Sequence, residues 1–104
     1  MKAANVKFDY KENTLNFEII GDIDHHTAKA VREEMDKQIF LFRAKNVIIN
    51  LKNVDFMDSS GIGLILGRYT KIKEYGGVLK LSGVSGTTQR IIRLSGMDRI
   101  IEIN

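Results

Sequence analysis

The sequence predicts one α/β domain: a mixed sheet of about five strands with crossover helices, in the order β-β-α-β-α-β-α-β. Three observations carry this. Two apolar runs with period two open the chain, separated by a short polar link. Apolar stripes of helical spacing then alternate with short apolar runs. No proline, repeat, linker or low-complexity stretch interrupts the 104 residues, so residues 1–104 read as a single domain.

The elements follow in order. Val6, Phe8 and Tyr10 alternate with polar residues, and after "KENT" Leu15, Phe17 and Ile19 alternate again, which is a β-hairpin pattern. Gly21 breaks the alternation. Asp24 is placed to cap a helix, because its carboxylate can accept from the free amides of the next turn. Ala28, Val31, Met35, Ile39 and Phe42 give that helix its apolar stripe, to near Arg43. "NVIINL" (46–51) is a continuous apolar run and reads as a strand buried on both faces. In the next helix Ile62, Ile65, Leu66, Tyr69 and Ile72 share a stripe that Gly76-Gly77 ends. "VLKL" (78–81) is a short strand. Ser85 or Thr87 caps a third helix with Ile91, Ile92 and Leu94 on its apolar face, and Gly96 ends it. Residues 99–103 form the last strand.

Composition narrows the function. With 43% hydrophobic and 28% charged residues, the chain can bury a core. There is no cysteine, hence no disulfide or thiolate metal site. No apolar signal region follows Met1-Lys2, and no run approaches the roughly 18 residues of a membrane span, so a cytoplasmic protein with no membrane partner is expected. Net charge is +3, but Lys and Arg are scattered from Lys2 to Arg99 with acidic residues between them. That is a solvated surface and not the basic block of a nucleic-acid binder, so no nucleic-acid partner is expected.

The segment "FMDSSGIGLILGRY" (56–69) is unusual. Gly61, Gly63 and Gly67 lie inside an apolar helix, although each glycine costs a helix interior about 1 kcal/mol relative to alanine. Gly63 and Gly67 are four apart and share a face with Thr70, Lys71 and Glu74, outside the apolar stripe. They predict a bare groove that another surface can approach closely, while Gly61 is free to pack on the sheet. Asp58, Ser59 and Ser60 stand at the helix N-terminus. The hydroxyls are candidates for capping or for carrying a phosphate in the favourable field of that terminus.

Catalytic patterns fail here. "MDSSGIG" lacks the glycine two before the serine of a nucleophile elbow. His25 and His26 offer two metal ligands and no third, so neither a metal nor another cofactor is expected. The third glycine of a dinucleotide fingerprint would be at position 66, and "GVSGTT" lacks the lysine of a P-loop.

The runs "GDIDHHTA" (21–28), "FMDSSGIG" (56–63), "LGRYTKIKEYGG" (66–77) and "LSGMDRII" (94–101) carry a resemblance to a known family. The chain resembles the STAS domain of anti-sigma factor antagonists and, within it, the sporulation antagonists of the anti-sigma-F factor. The likeness covers nearly the whole chain in family order.

This resemblance implies a regulator and not an enzyme. Its partner would be an anti-sigma factor that is also a Mg-ATP-dependent serine kinase. The kinase would phosphorylate Ser59, the first serine after the aspartate. The unphosphorylated form would bind it and release the sigma factor, the phosphorylated form would not, and a PP2C-type phosphatase would reset the switch. Asp24 would pair with an arginine of the kinase. Asp58, Ser60, Gly61, Ile62, Gly63 and Gly67 would form the rest of the partner surface, on a monomer. A general stress-response antagonist, or a STAS module binding a nucleotide or small ligand, is the alternative. Family chains commonly add a helix after the last strand; its absence before Asn104 would leave apolar sheet surface uncovered and favour self-association.

Overall fold

The hairpin forms where alternation places it. In the computed structural model, which describes residues 4–104, β1 (Asn5–Lys11) and β2 (Thr14–Ile23) pair antiparallel, with Lys11 opposite Thr14. Between them Glu12 and Asn13 both take positive φ, 52° and 59°. Two successive left-handed residues give the tight turn whose twist matches the flanking strands. Asn13 also ties down the hairpin tip, accepting from the Lys45 amide at 3.0 Å.

Gly21 does not end β2. It sits at φ 106°, and the register against the next strand slips between Gly21 and Asp22. Glycine adopts that φ without strain, so β2 continues through it to Ile23, and the extra residue at the slip, Asp55, lies on the next strand.

The first helix, α1 (Ala28–Phe42), begins later than Asp24 predicts. Asp24 caps a separate turn ahead of it, held by the Thr27 hydroxyl, which donates to the Asp22 carbonyl at 2.7 Å. The stripe is otherwise as expected: Val31, Met35 and Ile39 are buried, Gln38 joins them, and Ala28 and Phe42 are half-buried.

The next strand, β3 (Asn46–Met57), runs well past Leu51. Its second half is polar on the solvent side, which hides it from a hydrophobicity reading. Nor is its first half buried on both faces. Val47, Ile49 and Leu51 are buried, whereas Ile48 and Asn50 between them are only half-buried. Topology explains this. The remaining elements are α2 (Ser59–Glu74), β4 (Val78–Ser82), α3 (Gly86–Ser95) and β5 (Glu102–Ile103). The strand order is β1-β2-β3-β4-β5, and all pairs after the first are parallel. Each crossover steps to the next strand in the same direction. Right-handed crossovers therefore stack the three helices on one face. The core lies between them and Leu15, Phe17, Ile19, Val47, Ile49, Leu79 and Leu81. The opposite face is largely polar, with Asn16, Glu18, Asn50, Lys80 and Ser82 around Ile20, Ile48 and Val78, so the uncovered sheet is not the apolar surface expected.

The later elements need three corrections. In α2 the buried positions are Gly61, Leu64, Ile65, Arg68 and Ile72, while Ile62, Leu66 and Tyr69 are half-buried. The helix packs against α1 on one flank, and this turns its buried arc toward Leu64 and Arg68. In α3, Ser85 caps and Thr88 completes a capping box. Thr88 and Ile92 face inward, but Leu94, about 200° round the helix from Ile92, is 79% exposed. Residues 97–99 coil into a 3₁₀ turn anchored by buried Met97, which leaves β5 only Glu102–Ile103.

Candidate functional site

The carboxyl ends of β2 and β3 lie side by side, with Ile23 opposite Met57. The Asp58 amide donates to the Ile23 carbonyl at 3.2 Å, so Asp24 and Asp58 leave the sheet from adjacent points. In open α/β sheets the carboxyl ends of the strands are where ligands and partners are met.

Asp58 is the N-cap of α2, in extended conformation, and accepts from the Ser60 amide at 2.8 Å. Ser59 is the first residue of the helix and is exposed; Ser60 is half-buried. The two serines, equivalent by sequence, thus differ in access.

Asp24 is 5% exposed. Its Oδ1 accepts from the amides of His26 at 2.8 Å and Thr27 at 3.1 Å. Its Oδ2 is buried and has no hydrogen-bond partner among the described residues. Burial alone raises its pKa, but the His26 and Thr27 amides, the nearby His26 and the Thr27 hydroxyl outweigh it, and the net pKa lies below 3.8. The carboxylate is therefore ionised at neutral pH, with one oxygen committed to the turn and one left over. Its role as cap applies to this turn and not to α1.

The glycines divide as their spacing predicts. A side chain on Gly61 would overlap Met57, so this glycine lets α2 approach the end of β3. Added Cβ atoms on Gly63 and Gly67 would meet nothing within 4 Å. Gly63 is exposed and Gly67 half-buried. Ile62 is half-buried against the core, so only part of it is available to another surface.

Several residues at this site carry no motif signal. His25, Lys29 and Arg32 line an open groove of about 530 Å³ together with Ser60, Gly63 and Leu64. The charged groups in this lining, Lys29 and Arg32, are basic. Their spacing of three to four residues would have placed them on one face of α1, but nothing in the sequence says that this face borders Ser60. Phe56, at the end of β3, is 48% exposed. A strand ending at Leu51 gave no reason to expect a surface aromatic there.

The STAS domain model matches residues 5–104. The chain is 36% identical over 98 residues to an anti-sigma F factor antagonist of Paenibacillus polymyxa, covering 94% of this chain and 84% of that one. It is 33% identical over 100 residues to an anti-sigma-B factor antagonist of Bacillus subtilis, covering 96% and 90%. Among solved structures it is similar to the anti-sigma factor antagonist SpoIIAA in its unphosphorylated form, with TM-score 0.82, 27% identity and coverage of 96% and 88%. It also matches the Bacillus SpoIIAA in the phosphorylated form, with TM-score 0.74, 27% identity and coverage of 96% and 91%.

Proposed function

Because this chain belongs to the STAS domain family, we propose that it is an anti-sigma factor antagonist switched by phosphorylation of Ser59. The observation that carries this reading is the contrast between the two serines. Ser59 is exposed at the first position of α2, behind the Asp58 cap, whereas Ser60 is half-buried with its amide held by Asp58. Of the two hydroxyls, the more exposed Ser59 is the more open to a kinase active site.

The chemistry of the switch follows from charge. A phosphate adds about −1.5 to −2 charges. In the free protein the α2 N-terminus and the Lys29–Arg32 groove favour it, and Asp58 partly opposes it. Covered by a partner without a dedicated cation, the same charge costs several kcal/mol. Each 1.4 kcal/mol is tenfold in affinity, so release needs no change of fold.

In this reading the partner is an anti-sigma factor with Mg-ATP-dependent serine kinase activity, and a PP2C-type phosphatase restores the binding form. Gly63 and Gly67 allow close approach, with Asp58, Ser60 and part of Ile62 around them, and Phe56 offers an aromatic anchor; Gly61, expected on this surface, is buried against Met57 and supports it from beneath. The protein is then a regulator and a kinase substrate and not an enzyme. An arginine of the partner would reach Asp24 Oδ2 only as the 24–27 turn yields on binding, since that oxygen is buried in the free chain. The 36% likeness to an anti-sigma F antagonist favours sigma-F control. The 33% likeness to an anti-sigma-B antagonist supports stress-response control as the second reading.

Intact and peptide mass spectrometry after incubation with Mg-ATP and an anti-sigma kinase of each type tests this. One phosphate on wild type and Ser60→Ala, and none on Ser59→Ala, is expected. Phosphate retained in Ser59→Ala would move the site. No phosphate with either active kinase would turn attention to a nucleotide or small ligand at the α2 N-terminus, followed by the Ser59 amide shift.

A further inference from the structure

Among the described residues the outer edge of β1 is unpaired, since β1 is the first strand in the sheet order. Its register decides what that edge presents. Lys11 and Thr14 close a two-residue turn and so exchange backbone hydrogen bonds. Bonding alternates along an antiparallel ladder, so Asn5, Lys7, Asp9 and Lys11 bond inward to β2. The N–H and C=O groups of Val6, Phe8 and Tyr10 then point away from the sheet. Phe8 and Tyr10 are 43% and 40% exposed, and both rings lean on Phe42 of α1, with centroids 6.2 Å and 4.4 Å away.

Edge lysines usually prevent strand addition. Here Lys7 and Asp9 alternate, and both are exposed. We propose that β1 pairs antiparallel with β1 of a second copy of this chain, about a two-fold axis through Phe8. In this register Lys7 lies opposite the second copy's Asp9, and Asp9 opposite its Lys7. Phe8 faces Phe8, and Val6 faces Tyr10. The Lys7–Asp9 pairs fall at non-hydrogen-bonded positions, where side chains come closest.

The neighbouring registers that use the same outward groups are excluded by charge. A two-residue shift one way sets Lys7 against Lys7. The other way sets Asp9 against Asp9 and Lys7 against Lys11. Of these three only the Phe8-centred register is complementary; a Tyr10-centred register also sets Asp9 against Lys11, but it brings Phe8 opposite Glu12 of the turn and so shortens the paired strand. Because the two β1 strands run antiparallel to each other, the two-fold places the two Ser59 sites at opposite ends of the joined sheet and leaves both open. The pairing is independent of what binds at Ser59.

Sedimentation equilibrium of the wild-type protein up to about 1 mM tests this, with Lys7→Asp, Asp9→Lys and the double exchange Lys7→Asp/Asp9→Lys beside it. The expected result is a concentration-dependent dimer that each single reversal weakens at least tenfold and the double exchange restores. The Phe8 and Tyr10 amides gain hydrogen-exchange protection with concentration, while those of Lys7 and Asp9, already bonded inward, do not. A monomer throughout, or a dimer indifferent to the single reversals or not rescued by the double exchange, would overturn the proposal. Circular dichroism on each variant separates loss of pairing from loss of fold.

Discussion

Arg68 of α2 and Asp36 of α1 meet across the helix pair, Nε to Oδ1 at 2.9 Å, close but without the alignment of a hydrogen bond. Arg68 is 4% exposed and its Nη1 has no hydrogen-bond partner among the described residues, whereas the Asp36 side chain is 30% exposed. Burial pulls the Arg68 pKa down, Asp36 pushes it back up, and Arg32 lowers it. Asp36 thus compensates a buried charge at the α1–α2 contact.

Removing one partner of this pair costs more than replacing both. Asp36→Ala leaves the Arg68 charge buried and is expected to destabilise by about 2–4 kcal/mol, below a fully buried pair because Asp36 is partly exposed. Arg68→Met with Asp36→Leu is expected to recover at least half of that loss. Urea unfolding of the single and double variants reads both. Equal losses would show that the pair holds the helices by charge and not by packing.

Asp24 sets a pH dependence. Its folded pKa lies below 3.8, so its contribution to stability is fully present above that value and is lost as pH falls through the lower folded pKa. Asp24→Asn keeps an acceptor for the turn and loses the charge. It is expected to flatten the acid limb of the stability curve and to weaken binding of the anti-sigma factor at neutral pH. Unfolding between pH 2 and 6, with calorimetric titration of the partner, measures the two effects separately; roughly tenfold weaker binding is the expectation.

The glycines are separable by substitution. Gly61→Ala forces Met57 or α2 to move and is expected to cost about 1–3 kcal/mol. Gly63→Ala meets open space and is expected to stabilise the fold by up to about 1 kcal/mol through helix propensity. If Gly63 serves close approach, the same variant binds the partner more weakly although it is more stable. Thermal unfolding and a binding titration on one preparation give opposite signs in that case, and the same sign if Gly63 is merely structural.

Phosphorylation of Ser59 is expected to leave the fold intact. Ser59 is exposed at the first position of α2, so a phosphate there projects into solvent and displaces no packed group. Backbone amide shifts of the phosphorylated protein are expected to change around residues 24–32 and 56–64 and to stay fixed in β1 and α3. Widespread shifts would point to a conformational mechanism.

Whatever depends on local periodicity and backbone chemistry was legible in the chain alone. Alternation fixed the hairpin, helical spacing found α1 and its Val31–Met35–Ile39 stripe, and Ser85 and Gly96 bracket α3 because capping groups act within one turn. The "DSSGIG" run located the start of α2 and its glycines. What depends on neighbours remote in the chain emerged only with the packed fold. In the second half of β3 Lys52, Asn53 and Asp55 break up the apolar run, and pairing with β2 makes it a strand all the same. Leu94 and Leu64 are equally apolar, but one points to solvent and the other is buried beside α1, because helix packing sets the buried arc. Asp24 became the clamp of a turn through Thr27 and Asp22, a hydrogen-bond geometry that residue identity does not specify. Lys29 and Arg32 acquired a place beside Ser60 for the same reason: a right-handed crossover lays α1 next to α2, and burial with charge then follows from the surface each helix happens to face.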